Sequence, residues 1–358
     1  MENLIGSRLR TAGLVLACCA ALLCSVAILA PQRAVGATPT ASYQSETAPL
    51  EVAVADQLPL RDPARGRVVL TRIYYPVAPG SYPVIIFSHG FGGDLGAFEN
   101  TSRYWAARGY VVVHPTHIDS VRHPDPAADP QQHALIVRFL TELVQGHVDP
   151  ATQTAFVPIL NDPRYVDSRV ADVEFLLKAL ADPHQIDPQI VAREDLTRLG
   201  MGGHSFGAYT TQALAGEKLS FPGLGAVDRS DGRFRAFMPI SGQGAGRMGL
   251  ADDSFSAMTR PMMSITGTKD FGAGDETPRW RLEPFEHSPP GNKYALTVPD
   301  FSHLQFDPPT GTEPGDDLKA FELAFWDAYL KDSPSAKSYL AAGASETASA
   351  SAIAFERR

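Results

Sequence analysis

The chain predicts an α/β fold, a mostly parallel central sheet with helices on both faces, on three observations. Short apolar runs at residues 84–87, 110–113, 196–201, 234–240, 261–266 and 294–298 alternate with stretches of helical spacing. Such alternation is what parallel strands joined by crossover helices produce. The pentad Gly203-His204-Ser205-Phe206-Gly207 lies between one of these runs and a helix-compatible stretch, 208–214. A glycine-rich segment, His89-Gly90-Phe91-Gly92-Gly93, follows another directly.

Taken in order, residues 1–37 open with Arg8 and Arg10 and continue as an uncharged stretch from 11 to 32, with small residues at Val35 and Ala37. That pattern predicts a signal peptide removed on export, leaving a secreted or periplasmic protein with no membrane span. Left uncleaved, the same stretch would be a membrane anchor, since its apolar length approaches that of a spanning helix. Cys18, Cys19 and Cys24 all fall inside it, so the mature chain would offer no disulfide, thiolate nucleophile or cysteine metal site.

Residues 38–49, rich in Thr, Ser, Ala and Pro, read as a flexible leader, and 50–55 and 67–75 as an antiparallel pair at the sheet edge joined by an Asp-Pro turn. The run 84–87 is a buried strand, 95–108 a helix stopped by Gly109, and 110–113 the next buried strand. The Pro- and Asp-rich stretch 116–168 is an insertion after this fourth strand, with one amphipathic helix at about 131–145. A connection so long is usually functional, and we expect it to shape a pocket over the active-site edge.

Residues 169–180 place Val170, Val173, Leu176, Leu177 and Leu180 on one helical face and lead into the strand before the pentad. A closing helix at 317–330 completes a single catalytic domain over 50–332, large enough to bury a core without covalent staples. The tail 333–358 is Ala/Ser-rich, its last stretch expected to be mobile. The signal segment carries three arginines against Glu2, so the mature chain is two units more acidic than the −9 of the full sequence. With no basic run, that balance argues against nucleic acid and against electrostatic docking on anionic lipid. We expect a monomer.

A serine on a sharp strand-to-helix turn must adopt a strained backbone, and Gly203 and Gly207 allow the strand and helix to approach. The pentad thus reads as a nucleophile elbow presenting Ser205. The segment at Gly90 suits a loop offering a backbone N–H to an oxyanion, so the expected donors are the N–H groups of Phe91 and Phe206. Serine needs a histidine to take its proton and a carboxylate to orient that histidine. The elbow implies the chain order nucleophile, acid, base. After Ser205 the histidines are His287 and His303, and His303, in the loop following a strand, is favoured. Asp270, in the tight turn ending the 261–266 strand, is the first choice of acid, with Asp275 and Glu276 as alternatives in the same loop.

His114, His117, Asp119 and His123 cluster after a strand, but their irregular spacing matches no zinc pattern, so we read them as loop or pocket lining and expect no metal. His204 reads as packing beside Ser205.

Phe87-Ser88-His89-Gly90-Phe91-Gly92-Gly93 together with Gly203-His204-Ser205-Phe206-Gly207-Ala208 resembles the α/β-hydrolase superfamily. Within it the likeness, over roughly residues 50–340, is to platelet-activating-factor acetylhydrolases and bacterial dienelactone-hydrolase-like esterases. The resemblance implies that the residues after His-Gly and after the serine supply the oxyanion N–H groups, here Phe91 and Phe206. One departure stands out. The acetylhydrolases carry their acid on the strand after the elbow helix, where this chain has Pro239-Ile240-Ser241-Gly242 and no carboxylate. Asp270 matches the more general α/β-hydrolase placement, as in cutinase-like and lipase-like members. Dienelactone hydrolases proper use a cysteine, which Ser205 replaces.

The expected function is an exported serine carboxylic-ester hydrolase with no cofactor, acting on a small-molecule, lipid or polymer ester. The alternatives are a cutinase- or lipase-like polyester or lipid hydrolase, a peptidase or amidase, and a catalytically silent binding protein.

Overall fold

The computed structural model describes residues 42–124, 128–274, 276–342 and 353–358, all within one unit spanning Pro39–Arg358. The expected signal segment and Asp275 lie outside the described residues. In chain order the elements are β1 (Val52–Asp62), β2 (Arg67–Pro76), β3 (Tyr82–Ser88), α1 (Glu99–Ala106), β4 (Val111–Pro115), α2 (Pro130–Val144), α3 (Pro150–Leu160) and α4 (Pro163–Leu180). They continue as α5 (Pro188–Val191), β5 (Glu194–His204), α6 (Phe206–Leu214), a small hairpin of β6 (Leu219–Phe221) and β7 (Gly225–Val227), β8 (Phe234–Ile240) and β9 (Met262–Lys269). The last are α7 (Glu283–His287), β10 (Lys293–Ser302), α8 (Gly315–Leu330), α9 (Pro334–Ala342) and β11 (Ala354–Arg357).

Nine strands form one sheet in the order β1-β2-β4-β3-β5-β8-β9-β10-β11. From β4 to β10 every neighbouring pair is parallel, and the antiparallel pairs lie at the two ends. The apolar strands alternate their side chains between two cores. Val84 and Ile86 face one with α4 and α6; Ile85 and Phe87 face the other with α1 and α8. Burying each such side chain stabilises the fold by about 1.5–3 kcal/mol, which explains why strands covered on both faces read as unbroken hydrophobic runs.

The expected fold class and the insertion after the fourth strand match this architecture; several details differ. The insertion holds more helix than expected: α3 lies inside it, and α4 begins at Pro163 rather than at 169. Three of its Asp-Pro pairs are helix starts. Asp129, Asp149 and Asp162 each accept a hydrogen bond from a first-turn N–H, and Pro follows at the first helical position. Such a cap contributes about 1 kcal/mol, and proline at that position loses no intrahelical bond.

Helix α1 starts at Glu99, not 95, because Asp94 closes a local turn onto Gly96 N–H and Phe98 adopts φ 58°. Its first amides are capped from far along the chain, by Asp307 on Asn100 and Thr101. The described part of the expected leader is tied down: Tyr43 is buried and donates to Asp327, as does Ser45. The end of the tail is likewise ordered, with β11 pairing antiparallel to β10 and Ile353 and Phe355 buried.

Candidate active site

Strand β5 runs to His204 and α6 begins at Phe206, so Ser205 occupies the whole turn, at φ 57° and ψ −115°. A non-glycine residue there stores on the order of 1–3 kcal/mol of strain, held in place by its surroundings. The glycines on either side leave no room for anything larger. A Cβ on Gly203 would lie 2.3 Å from Gly207 O, and one on Gly207 would lie 1.9 Å from Ser88 O. Both neighbours are backbone and cannot yield. Gly207→Ala is therefore expected to lower the unfolding free energy by about 3 kcal/mol or more. Gly90→Ala, whose nearest atom would be 3.4 Å away, is expected to be nearly neutral in the same urea titration. Similar midpoints for the two variants would contradict this reading of the elbow.

Three of the expected site residues come together. His303 Nε2 lies 2.9 Å from Ser205 Oγ, and its Nδ1 lies 2.9 Å from Asp270 Oδ1. Asp270 is fully buried while the His303 side chain is 20% exposed, so one end of the chain of hydrogen bonds is sealed and the other faces a pocket. Of the alternatives, His287 packs edge-on against Phe255, and Glu276 pairs with Arg247.

The sequence reading missed the groups that hold this arrangement. Ser241, at φ 57°, donates to Asp270 Oδ1 and lies 2.9 Å from His303 Nδ1, where it shares that N–H. Thr266 donates to the other carboxylate oxygen. Arg281, buried, donates to the carbonyls of Gly242 and Phe271 and has Nε 3.5 Å from Asp270 Oδ1. His204, expected as packing, hydrogen-bonds through Nε2 to the carbonyl of His303 at 2.7 Å, and so fixes the loop that carries it. The departure at Ser241 was visible in the sequence; its contact with Asp270, 29 residues on, was not.

Burial alone would raise the Asp270 carboxyl, but the Arg281 charge and the hydrogen bonds from His303 and Ser241 outweigh it and hold the group down to about 2. His303 sits below the ordinary imidazole value: burial lowers it, the Asp270 hydrogen bond opposes, and the Arg281 charge lowers it further. Burial, then the neighbouring His303, pushes His204 down to about 3, so it stays neutral. A base acts only when unprotonated, so the acid limb of kcat/KM is expected below the ordinary imidazole value. Arg281→Gln removes a charge that disfavours the imidazolium and should move that limb to higher pH. A limb that stays put or moves down in a pH–rate profile of this variant would contradict the assigned electrostatics.

The pocket over Ser205 has a volume of about 560 Å³. Its walls are largely apolar, with Leu140, Leu143 and Phe156 contributed by the insertion and Met248 from beyond α6. Phe91 and Phe206 also line it, their rings edge to face with centroids 5.0 Å apart. Phe206 opens α6, so its N–H has no acceptor within the helix. Among the described residues no hydrogen bond takes up the N–H of Phe91.

The rings of His114 and His117, weighed for metal binding, have other partners. His114 bonds Ser102 Oγ, and His117 lies between Ser88 Oγ and Asp172. Asp119 pairs with Arg169, while for His123 the bond is from its backbone N–H to Ser120 Oγ. Among the described residues no group of three or more His, Cys, Asp or Glu could hold a metal ion, and no helix is long and apolar enough to cross a membrane.

Residues 67–125 match the family model for platelet-activating factor acetylhydrolase, isoform II. The match runs from β2 past β4 and includes the His89–Gly93 loop and Asp119, but not Ser205, Asp270 or His303. No curated protein matches the chain. The fold is that of an α/β-hydrolase, and the matched segment is similar to the acetylhydrolase branch, a family of ester-cleaving hydrolases.

Proposed function

We propose that the protein is an exported serine carboxylic-ester hydrolase working through an acyl-enzyme. The observation that carries this reading is the continuous hydrogen bonding from Ser205 Oγ through His303 to the buried carboxylate of Asp270. In the proposed mechanism Ser205 Oγ attacks the ester carbonyl carbon as its proton passes to His303 Nε2. The carbonyl π electrons move onto oxygen, which accepts hydrogen bonds from the N–H groups of Phe91 and Phe206. Collapse of this tetrahedral species breaks the bond to the alcohol, which leaves with the proton from His303. Water then repeats the steps on the acyl-enzyme, giving the carboxylic acid and restoring Ser205. Asp270 holds the imidazole with Nδ1–H toward itself and offsets the positive charge that develops. No cofactor enters.

The pocket walls favour an apolar substrate, since the ionisable side chains lining it, His204, His303 and Arg281, are engaged with protein partners. A cutinase- or lipase-like activity on polyester or lipid is the second reading. It is favoured by Val144, Phe271 and Leu304, which line the pocket and are 73%, 54% and 53% exposed, an apolar rim suited to an aggregated ester. A panel of p-nitrophenyl esters of increasing chain length, a phospholipid and an amorphous polyester tests both. Hydrolysis of neutral esters is expected; no release above background from any of them would leave the peptidase or amidase and the silent binding protein as the surviving alternatives.

A further inference from the structure

Besides the residues around Asp270, a second buried polar network meets the pocket, and the mechanism above makes no use of its side chains. Arg169, near the middle of α4, and Asp119, after β4, form an ion pair with Nη2 to Oδ2 at 2.7 Å and Nε to Oδ1 at 2.9 Å, both side chains fully buried. Burial would raise the Asp119 carboxyl, but the charge and hydrogen bonds of Arg169 overcome it and keep the group ionised, well below the usual carboxylate range. A buried pair of this kind is weak evidence for stability, because apolar replacements of similar volume often cost nothing. Its contacts suggest another use.

Every direct contact of the pair to backbone falls on one loop. Arg169 Nη1 donates to His89 O at 2.6 Å and Nη2 to Gly90 O at 3.2 Å, while Asp119 Oδ2 accepts from Gly92 N–H at 2.8 Å. Gly90 O also accepts from Gly93 N–H and from His89 Nδ1, and Gly92 O accepts from Val121 N–H. His89 keeps Nδ1–H for that bond because its Nε2 accepts from His117 N–H. Gly90 C=O before Phe91 and Gly92 N–H and C=O after it are therefore taken, and among the described residues the Phe91 N–H is not.

Geometry turns this occupancy into an orientation. Gly90 C=O and Phe91 N–H belong to one planar trans peptide and point in opposite directions. Drawing the carbonyl inward onto Arg169 directs the N–H away from Arg169, on a loop whose residues 90–93 line the pocket. The guanidinium also stacks 4.9 Å from the centre of the Phe206 ring, so one cation contacts Phe206 directly and, at Gly90 O, the peptide bond that carries the Phe91 N–H.

We infer, building on the hydrolase reading, that Arg169 and Asp119 are positioning residues that fix the 89–92 loop so that the Phe91 N–H is preset toward the substrate oxygen. The pair contributes to the rate through the transition state and little to ground-state binding.

The test uses the double variant Arg169→Met/Asp119→Asn, which removes both charges together and so leaves no unpaired buried charge, with Arg169→Lys as a milder companion that keeps the charge and loses the two-pronged grip. Four readouts are taken: thermal unfolding, kcat and KM on the best ester, affinity for an arylboronic acid that forms a tetrahedral adduct on serine, and hydrogen–deuterium exchange of the peptide covering residues 87–93. The folded double variant should lose on the order of 10²-fold in kcat, the cost of one misplaced oxyanion donor. KM should change little, boronate affinity should fall in step with kcat, and exchange of the 87–93 peptide should quicken. Arg169→Lys should fall between the two, which decides the matter if the double variant does not fold. Wild-type kcat in a folded variant, or a lowered kcat with unchanged exchange at 87–93, would overturn the inference. If the wild-type protein cleaves no ester, the hydrolase reading fails separately, and the exchange arm alone decides whether the pair fixes the loop.

Discussion

Ser205→Ala is expected to lower kcat for every ester the protein cleaves by about 10⁴-fold or more, with KM and the unfolding midpoint near those of the wild type. The size follows from the geometry: with Oγ gone, His303 Nε2 has no hydroxyl to deprotonate, and Asp270 and Ser241 orient an imidazole with nothing to activate. What remains is binding and the two backbone donors acting on direct attack by water. The fold should tolerate the change, because alanine meets the same backbone strain at φ 57° as serine and adds no atoms. Steady-state kinetics on a p-nitrophenyl ester, with a urea titration beside it, checks both halves. Retention of a tenth of the wild-type turnover would remove Ser205 from the mechanism.

The second large effect concerns the acid. Asp270→Asn should lower kcat by about 10³- to 10⁴-fold with little change in KM, since an amide cannot enforce Nδ1–H on His303 or offset its charge. Arg281 adds to the loss. In the wild type its cation faces the Asp270 carboxylate; in the variant it faces the imidazole with no anion between them, and disfavours the imidazolium that attack requires. Glu276→Gln should cost far less, because Glu276 is engaged with Arg247. Asp275→Asn should also be mild if Asp270 is the acid that orients His303. If Asp275→Asn or Glu276→Gln exceeded Asp270→Asn in effect, the acid would have to be reassigned.

Much of the scaffold was legible because local signals agreed with global ones. The strands buried on both faces read as apolar runs, and β8 falls on the expected residues 234–240. The elbow was legible because its glycines are required by backbone contacts that nothing else in the sequence could relieve. The order rule for acid and base then picked out Asp270 and His303, which the fold brings within hydrogen-bond reach of each other.

The misses have a common physical origin. Asp149-Pro150 and Asp162-Pro163 carry a helix-start signal, yet the abundance of Asp and Pro made the same residues look like loop. The tail's Ala/Ser composition likewise hid the short alternation around Ile353 and Phe355 that fits β11 onto the sheet. Ser241, Arg281, His204 and Arg169 work through partners 10 to 99 residues away, and no spacing along the chain announces such contacts. A buried arginine leaves no local signature at all. Only the folded chain places Arg169 behind the glycine loop and Arg281 beside the carboxylate.

The most direct test of the central claim, that Ser205 is an activated nucleophile, is to treat the full chain with a fluorophosphonate and locate the adduct by peptide mass spectrometry. The account predicts one adduct per chain, on Ser205, with labelling abolished in Ser205→Ala and strongly slowed in Asp270→Asn. An unlabelled protein, or an adduct on any other residue, would contradict it.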